Sequence, residues 1–241
     1  MDAIQTIYTR AARKKLGYYA NWEPSRPLAL GDYGLLRGQH FERIGSLTSL
    51  GVTWVAQTND NESHKKFTSS NSVSAVLKAK GKGPGGKAKL EVAFGSANTV
   101  FLDAAGCTYQ AIEDKRALGQ ALEALGNFQS NWVVVTDLIP AKRSIMAISS
   151  AEKANITFEA LGAVDAIDLA DASIEIGAKK QSAIGYLVDA EKGFTPFFGL
   201  CGFKPRFPFG NEGLRPLSQR AGGQAKPVVA DVASELVFLQ L

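Results

Sequence analysis

Cysteine and histidine are scarce in this chain of 241 residues: only Cys107 and Cys201, and only His40 and His64. Two cysteines do not make the disulfide framework of a small secreted domain, so two buried thiols are expected in place of a bridge. Cys107 follows an apolar strand, Cys201 sits in a Gly/Phe-rich segment read as a loop, and neither matches a nucleophile signature. A reactive thiol needs a base to lower its pKa, and nothing in the sequence pairs a histidine with either one. His40 and His64 stand too far apart, with no further His or Cys beside them, for zinc-ligand spacing. Asp and Glu are scattered without a pair suited to general acid and base work. These absences lead to the expectation of a protein that is not an enzyme and takes no metal or cofactor.

Long apolar runs are missing too. No segment approaches the ~20 apolar residues of a membrane helix, and Met1-Asp2-Ala3-Ile4 lacks the basic start and apolar run of a secretory signal. The expectation is a protein made soluble and cytoplasmic. No Pro, Gly or Ser stretch is long enough to serve as an interdomain linker, which points to one domain over residues 1–220. Ala221-Gly222-Gly223-Gln224 then sets off a short tail, 221–241. Hydrophobic residues at 45% and charged residues at 21% are those of an ordinary globular core, and they exclude disordered and collagenous classes.

The net charge of +4, with a pI near 9.0, suggests contact with anions, and its placement says more than its size. One cluster is Arg10, Arg13, Lys14 and Lys15, at the end of a segment whose Ile4, Ile7, Tyr8, Ala11, Ala12 and Leu16 share one helical side. Such a basic amphipathic helix either lies on an anionic membrane or covers a sheet with its charges solvated. The other cluster, Lys78 to Lys89, belongs to the clearest strand pattern in the chain. Val73, Ala75, Leu77 and Ala79 alternate with polar residues, Val76 excepted, and after a Gly-rich turn Ala88, Leu90, Val92 and Phe94 resume the alternation. The spacing predicts a long antiparallel hairpin, its arms continuing toward Phe67 and Phe101.

Gly81, Gly86 and Lys87 imitate the start of a phosphate-binding P-loop. Ala88 stands where the metal-binding Ser or Thr belongs, however, and a strand pattern follows where a helix should open. A cationic hairpin tip carrying Lys82 and Lys87 is the better description.

Elsewhere, Val52, Trp54 and Ala56 alternate as a strand that ends at a polar loop, Asn59-Asp60-Asn61-Glu62. Asp114 caps a helix with Ala117, Leu118, Ala121, Leu122 and Leu125 on its apolar side, closed by Gly126. Trp132–Val135 and Ile145–Ile148 read as buried central strands interrupted at Pro140. A second hairpin joins Ile156-Thr157-Phe158-Glu159 to Ile174-Glu175-Ile176 and Ile184–Val188. The fold class expected is α+β: a twisted, mainly antiparallel β-sheet with long hairpins and packed helices.

This order of elements resembles the pore-forming domain of gasdermins, especially the compact bacterial and fungal members. The likeness rests on the basic first helix, the long first hairpin, a short helix, the strand Asn131-Trp132-Val133-Val134-Val135-Thr136, and a second hairpin ending in Ala183-Ile184-Gly185-Tyr186. It covers roughly residues 1–200 and is one of element order, since the family has no short diagnostic motif. The resemblance implies that Arg10, Arg13, Lys14 and Lys15 contact anionic membrane lipids. It implies equally that the hairpin residues Val73, Ala75, Leu77, Ala79, Ala88, Leu90, Val92 and Phe94 enter the membrane in a homo-oligomer, causing cell death in defence. The protein would move from cytoplasm to cell membrane, and no small-molecule substrate is involved. Two features depart from the family: no cysteine precedes Cys107, where many bacterial members carry a lipidated one, and the tail is far shorter than the inhibitory domain of mammalian members. Either a protease removes that tail or a partner protein activates the chain.

The same residues allow two other readings. One is an anion-binding or nucleic-acid-binding module using Lys78 to Lys89, although no aromatic residues interleave there for base stacking. The other is an enzyme of unrecognised type.

Overall fold

The computed structural model describes residues 3–22, 27–80, 87–160, 176–190, 194–206 and 210–216. It is an α+β fold of antiparallel sheet with two helices. In chain order the elements are α1 (Ala3–Leu16), β1 (Tyr19–Ala20), β2 (Asp32–Arg37), β3 (His40–Ser46), a short 3-10 turn (Leu47–Leu50), β4 (Ala56–Thr68), β5 (Val73–Lys80), β6 (Lys87–Phe94) and β7 (Val100–Ile112). There follow α2 (Lys115–Ala124), β8 (Trp132–Ala141), β9 (Arg143–Ser149), β10 (Ala154–Ala160), β11 (Ile176–Ser182), β12 (Ile184–Ala190), β13 (Phe194–Arg206) and β14 (Gly210–Pro216).

The main sheet runs β1-β13-β8-β7-β9-β12, with β14 on β13, β2 on β8 and carrying β3, and β4 on β7. A second sheet has the order β11-β10-β6-β5. Near-continuous apolar runs in β8 and β9 suit strands covered on both faces. One face of the main sheet, through Val100, Leu102, Met146 and Ile148, takes the apolar side of α1, where Tyr8 and Ala12 are fully buried and Ile7, Ala11 and Leu16 pack around them. The opposite face, through Phe101, Ile145 and Ala147, is covered by the second sheet with Leu90, Val92, Phe94, Ile156 and Phe158.

α2 begins as its sequence requires, with the Asp114 carboxylate accepting the Ala117 N–H at 2.8 Å. Leu118 and Leu122 are buried against Ile112, Val134 and Phe203, while Ala117, in the first turn, faces solvent. At the other end Gly126 takes a left-handed φ of 67° and donates to the Glu123 carbonyl at 3.2 Å.

Four expectations from the sequence need correction. The alternation at Val52 and Trp54 does not form a strand, because β4 opens only at Ala56. The polar run Asn59 to Glu62 is part of strand β4, held along β7, and its turn chemistry survives as two irregularities of register on either side of Ser63. Pro140 does not end its strand, because β8 continues to Ala141. The register against β13 slips between the pairs Ile139–Phe197 and Ala141–Phe194, a bulge at which a residue without an N–H is tolerated. Cys201 lies in the long strand β13 and not in a loop, since the Phe/Gly-rich segment pairs on both sides with β8 and β14.

Candidate functional site

The hairpin expected from alternation is present: β5 and β6 pair antiparallel from Val73–Phe94 through Ala75–Val92, Leu77–Leu90 and Ala79–Ala88 to Lys80–Lys87. Directly opposed residues share a face, so Val73, Ala75, Val92 and Phe94, with Leu90 two residues along from Val92, lie on one side of the second sheet. Leu90, Val92 and Phe94 are buried there, Val73 is half-buried, and Ala75 on the edge strand remains exposed. The other side carries Val76, exposed, and Lys89, which forms an ion pair with Glu159 of β10. The strand at Lys87 also disposes of the P-loop imitation, which requires a helix there. The tip residue Lys82, together with Ile174, Glu175 and the tail 221–241, lies outside the described residues.

The hairpin does not stop at Phe67 and Phe101. Its arms continue as β4 and β7, paired from Thr68–Phe101 to Ala56–Ile112, so one long hairpin belongs to both sheets and bends between them. The second hairpin does the same: β9 leads into β10, and β11 leads into β12, which returns to pair with β9. Four crossings therefore join the sheets, at residues 69–72, 95–99, 150–153 and 183.

These crossings line up and are bonded side to side. Gly95 donates its N–H to the Ser72 carbonyl at 2.7 Å, and the Ser72 and Ser96 hydroxyls meet at 2.8 Å. Asn98 N–H donates to the Ser149 carbonyl at 2.9 Å, while the Ser149 hydroxyl donates to the Ser96 carbonyl and lies 2.9 Å from that of Thr99. Ser150 gives both its N–H, at 2.8 Å, and its hydroxyl, at 2.9 Å, to the Ala183 carbonyl. Short hydroxyl side chains satisfy the backbone where the ladders are interrupted, which is what permits a sharp fold in a sheet.

The basic helix divides its four cations. Arg10, Lys14 and Lys15 are exposed, but Arg13 is only 6% exposed: its guanidinium stacks over the Tyr19 ring, 4.2 Å from the centroid, and donates to the Gly17 carbonyl. Burial lowers the Arg13 pKa and raises that of Tyr19. Arg13 thus ties the helix end to β1 and presents no charge to a membrane in this conformation. Basic residues in the last turn also suit the negative end of the helix dipole.

Two polar clusters escaped the sequence, because their members meet only through sheet register and the placing of α2. Asp103, 2% exposed, receives His64 Nε2 at 2.5 Å, with Lys66 Nζ at 3.5 Å. Asp137 accepts from Lys115 Nζ at 2.8 Å through each of its oxygens, from Thr136 Oγ1 at 2.7 Å and from the Tyr109 hydroxyl. Gly199 on β13 is needed beside it, since a Cβ there would stand 2.8 Å from Asp137 Oδ2.

Neither cluster activates a thiol. Cys107 and Cys201 are free and buried, and burial pushes their pKa up to about 11 and about 12. A thiol whose folded pKa is raised contributes stability below its unfolded pKa that is lost as pH climbs toward the folded one. Stability should therefore fall from about pH 9 upward, and neither thiol should react with iodoacetamide at pH 8 until the chain unfolds; a native-state adduct on either would refute the inert assignment.

Among the described residues no three of His, Cys, Asp and Glu converge as a metal would require, and no helix is long and apolar enough to cross a membrane. No protein-family model and no curated protein matches the chain.

Proposed function

We propose that this protein permeabilises membranes: it binds anionic lipid through α1, assembles with copies of itself, and inserts its two hairpins, as the resemblance to the gasdermin pore-forming domain implies. The observation that carries the reading is a correspondence of strand order. The second sheet's β5-β6-β10-β11 repeats β4-β7-β9-β12 of the main sheet, each strand joined to its counterpart by one short crossing. If the crossings straighten, four kinked strands become one continuous four-stranded antiparallel sheet with no change in neighbours.

The dimensions and chemistry suit a bilayer. Eight residues at ~3.3 Å each reach about 26 Å, close to the ~25 Å apolar band of a membrane barrel. The face now packed on the main sheet would meet lipid, and the face with Lys89 and Glu159 would meet water. A single copy leaves open edges whose backbone groups hydrocarbon cannot satisfy, so copies must close into a ring. Four strands per copy keep the alternation antiparallel from each copy to the next. The alternative anion-binding module gains less support, because Lys89 is already tied to Glu159.

The test is dye release from anionic and from neutral liposomes by the intact chain, beside a version ending at Arg220. Release confined to anionic vesicles is expected, and none from either version on either vesicle would sink the proposal. Replacing Arg10, Lys14 and Lys15 by Gln removes on the order of 1 kcal/mol of attraction each, so vesicle binding should fall roughly 100-fold with unchanged circular dichroism. Unaltered co-sedimentation would remove α1 from the mechanism.

A further inference from the structure

The row of crossings is a loaded hinge, we propose: Lys153 and Ala183, held in the left-handed region, store strain in the folded-back state and set how readily the second sheet swings off the main one. This rests on the opening motion proposed above and assigns it a controlling element.

Three non-glycine residues among those described have positive φ: Asn98 at 57°, Lys153 at 58° and Ala183 at 54°. All three lie in the crossings, one in each of the last three. L-residues visit this region at a cost because Cβ crowds the following carbonyl; Asn tolerates it, Lys and Ala do not. The chain has ready access to the inexpensive solution, for Gly17, Gly31, Gly38, Gly51, Gly106 and Gly126 all take positive φ elsewhere. None of those six is at the hinge.

The three side chains are exposed, so packing does not explain their identity. What holds the conformation is the lateral bonding: Asn98 N–H on Ser149, and Ser150 on the Ala183 carbonyl twice over. Ala183 is the sharpest point, since it alone makes the turn from β11 in one sheet to β12 in the other. In an extended strand each of these residues returns to the β region and its strain is released. The hinge is therefore biased toward straightening, while the apolar packing of Leu90, Val92, Phe94, Ile156 and Phe158 on Phe101, Ile145 and Ala147 opposes it. Balanced terms of this kind permit a resting state that a membrane or a partner can tip.

Glycine at position 153 or 183 removes the strain of the bent state and gains nothing in the straight one. One such penalty corresponds to about 5- to 30-fold in an equilibrium between the two. Opening is read in solution, without lipid, on the full chain carrying Val92→Cys, a thiol placed between the sheets. Iodoacetamide labelling of that thiol reports separation of the sheets, while labelling of Cys201, in a core away from the hinge, reports wider unfolding. Ala183→Gly and Lys153→Gly should each slow labelling at position 92 by about 5- to 30-fold and leave Cys201 unchanged, and Ala183→Val should speed it. Unchanged or faster labelling at 92 in both glycine variants would overturn the proposal. Ile156→Cys on the neighbouring strand gives a second reporter if Val92→Cys does not fold. Because lipid is absent, a parent that releases no dye would dispose of the membrane reading and leave these rates to decide the hinge.

Discussion

Ala75→Asp should melt like the parent protein and yet abolish dye release, whereas Leu90→Asp should fail to fold at all. Both residues lie on the apolar face of the second sheet, but their surroundings differ. Leu90 is 2% exposed, packed with Phe158 and the wall of the main sheet. An aspartate there loses the ~2–5 kcal/mol of a buried leucine and leaves a carboxylate with no partner in an apolar interface, which together rival the whole stability of a domain. Leu90 therefore cannot tell a protein core from a lipid face. Ala75, opposite Val92 on the edge strand, is already exposed, so a charge there is solvated in the soluble form. After insertion the same charge would face hydrocarbon, where Arg or Lys at the midplane costs ~2–4 kcal/mol and Asp somewhat less, a penalty repeated in every copy of the ring. Val76→Ser, one residue along on the opposite face, is the control and should change neither property. Thermal melting beside dye release from anionic liposomes decides it: an Ala75→Asp protein that melts normally and still releases dye would end the membrane-strand proposal.

The discriminating position was not visible in the sequence, although the strand was. Period-2 alternation in 73–80 and 88–94 predicted the strands and their shared face, because side-chain direction in a strand is fixed by count alone, whereas the register came from the structure. Which strand forms the edge is a property of topology, and Ala75 and Val92 look alike until β10 is seen on β6 and nothing described beyond β5. The fold between the sheets was hidden for a related reason. Ser69 to Ser72 and Gly95 to Thr99 have turn composition, and so has Ser150 to Lys153, but Ala183 stands between Lys179-Lys180-Gln181-Ser182 and Ile184-Gly185-Tyr186 as a residue with no turn preference of its own. Its left-handed backbone comes from the sheets it joins and not from its own preference.

The helices show the same division. The stripe of α1 was legible, since Tyr8 and Ala12 lie at helical spacing and do face the core. The burial of Arg13 was not, because a helical wheel places it with the polar residues and only the return of the chain at Gly17 and Tyr19 brings a carbonyl and a ring over it. Long-range charge pairs were beyond reach altogether: His64 and Asp103, or Lys115 and Asp137, are far apart in sequence and become neighbours through register and the placing of α2.

The Asp137 cluster supplies the other large effect. Asp137→Ala should destabilise the protein by about 3–5 kcal/mol, because it takes from the Lys115 ammonium, 14% exposed, the carboxylate it meets through both oxygens, and from two hydroxyls an acceptor. Asp137→Asn should cost less, since an amide of the same shape still accepts one bond but no longer offsets the charge. Removing both ions tests whether pairing or packing matters: in Asp137→Leu with Lys115→Met the buried cation is gone, and apolar replacements of similar volume are often neutral. The double variant should therefore be more stable than Asp137→Ala, although Tyr109 and Thr136 have each lost the Asp137 acceptor, so full recovery is not expected. Gly199 sets a limit on the leucine, because its position lies against the Asp137 side chain. Urea unfolding followed by tryptophan fluorescence gives the ranking, with Trp132 on the same strand as reporter. If Asp137→Ala unfolds at the parental midpoint, the pairing of Lys115 with Asp137 contributes nothing to holding α2 on the sheet.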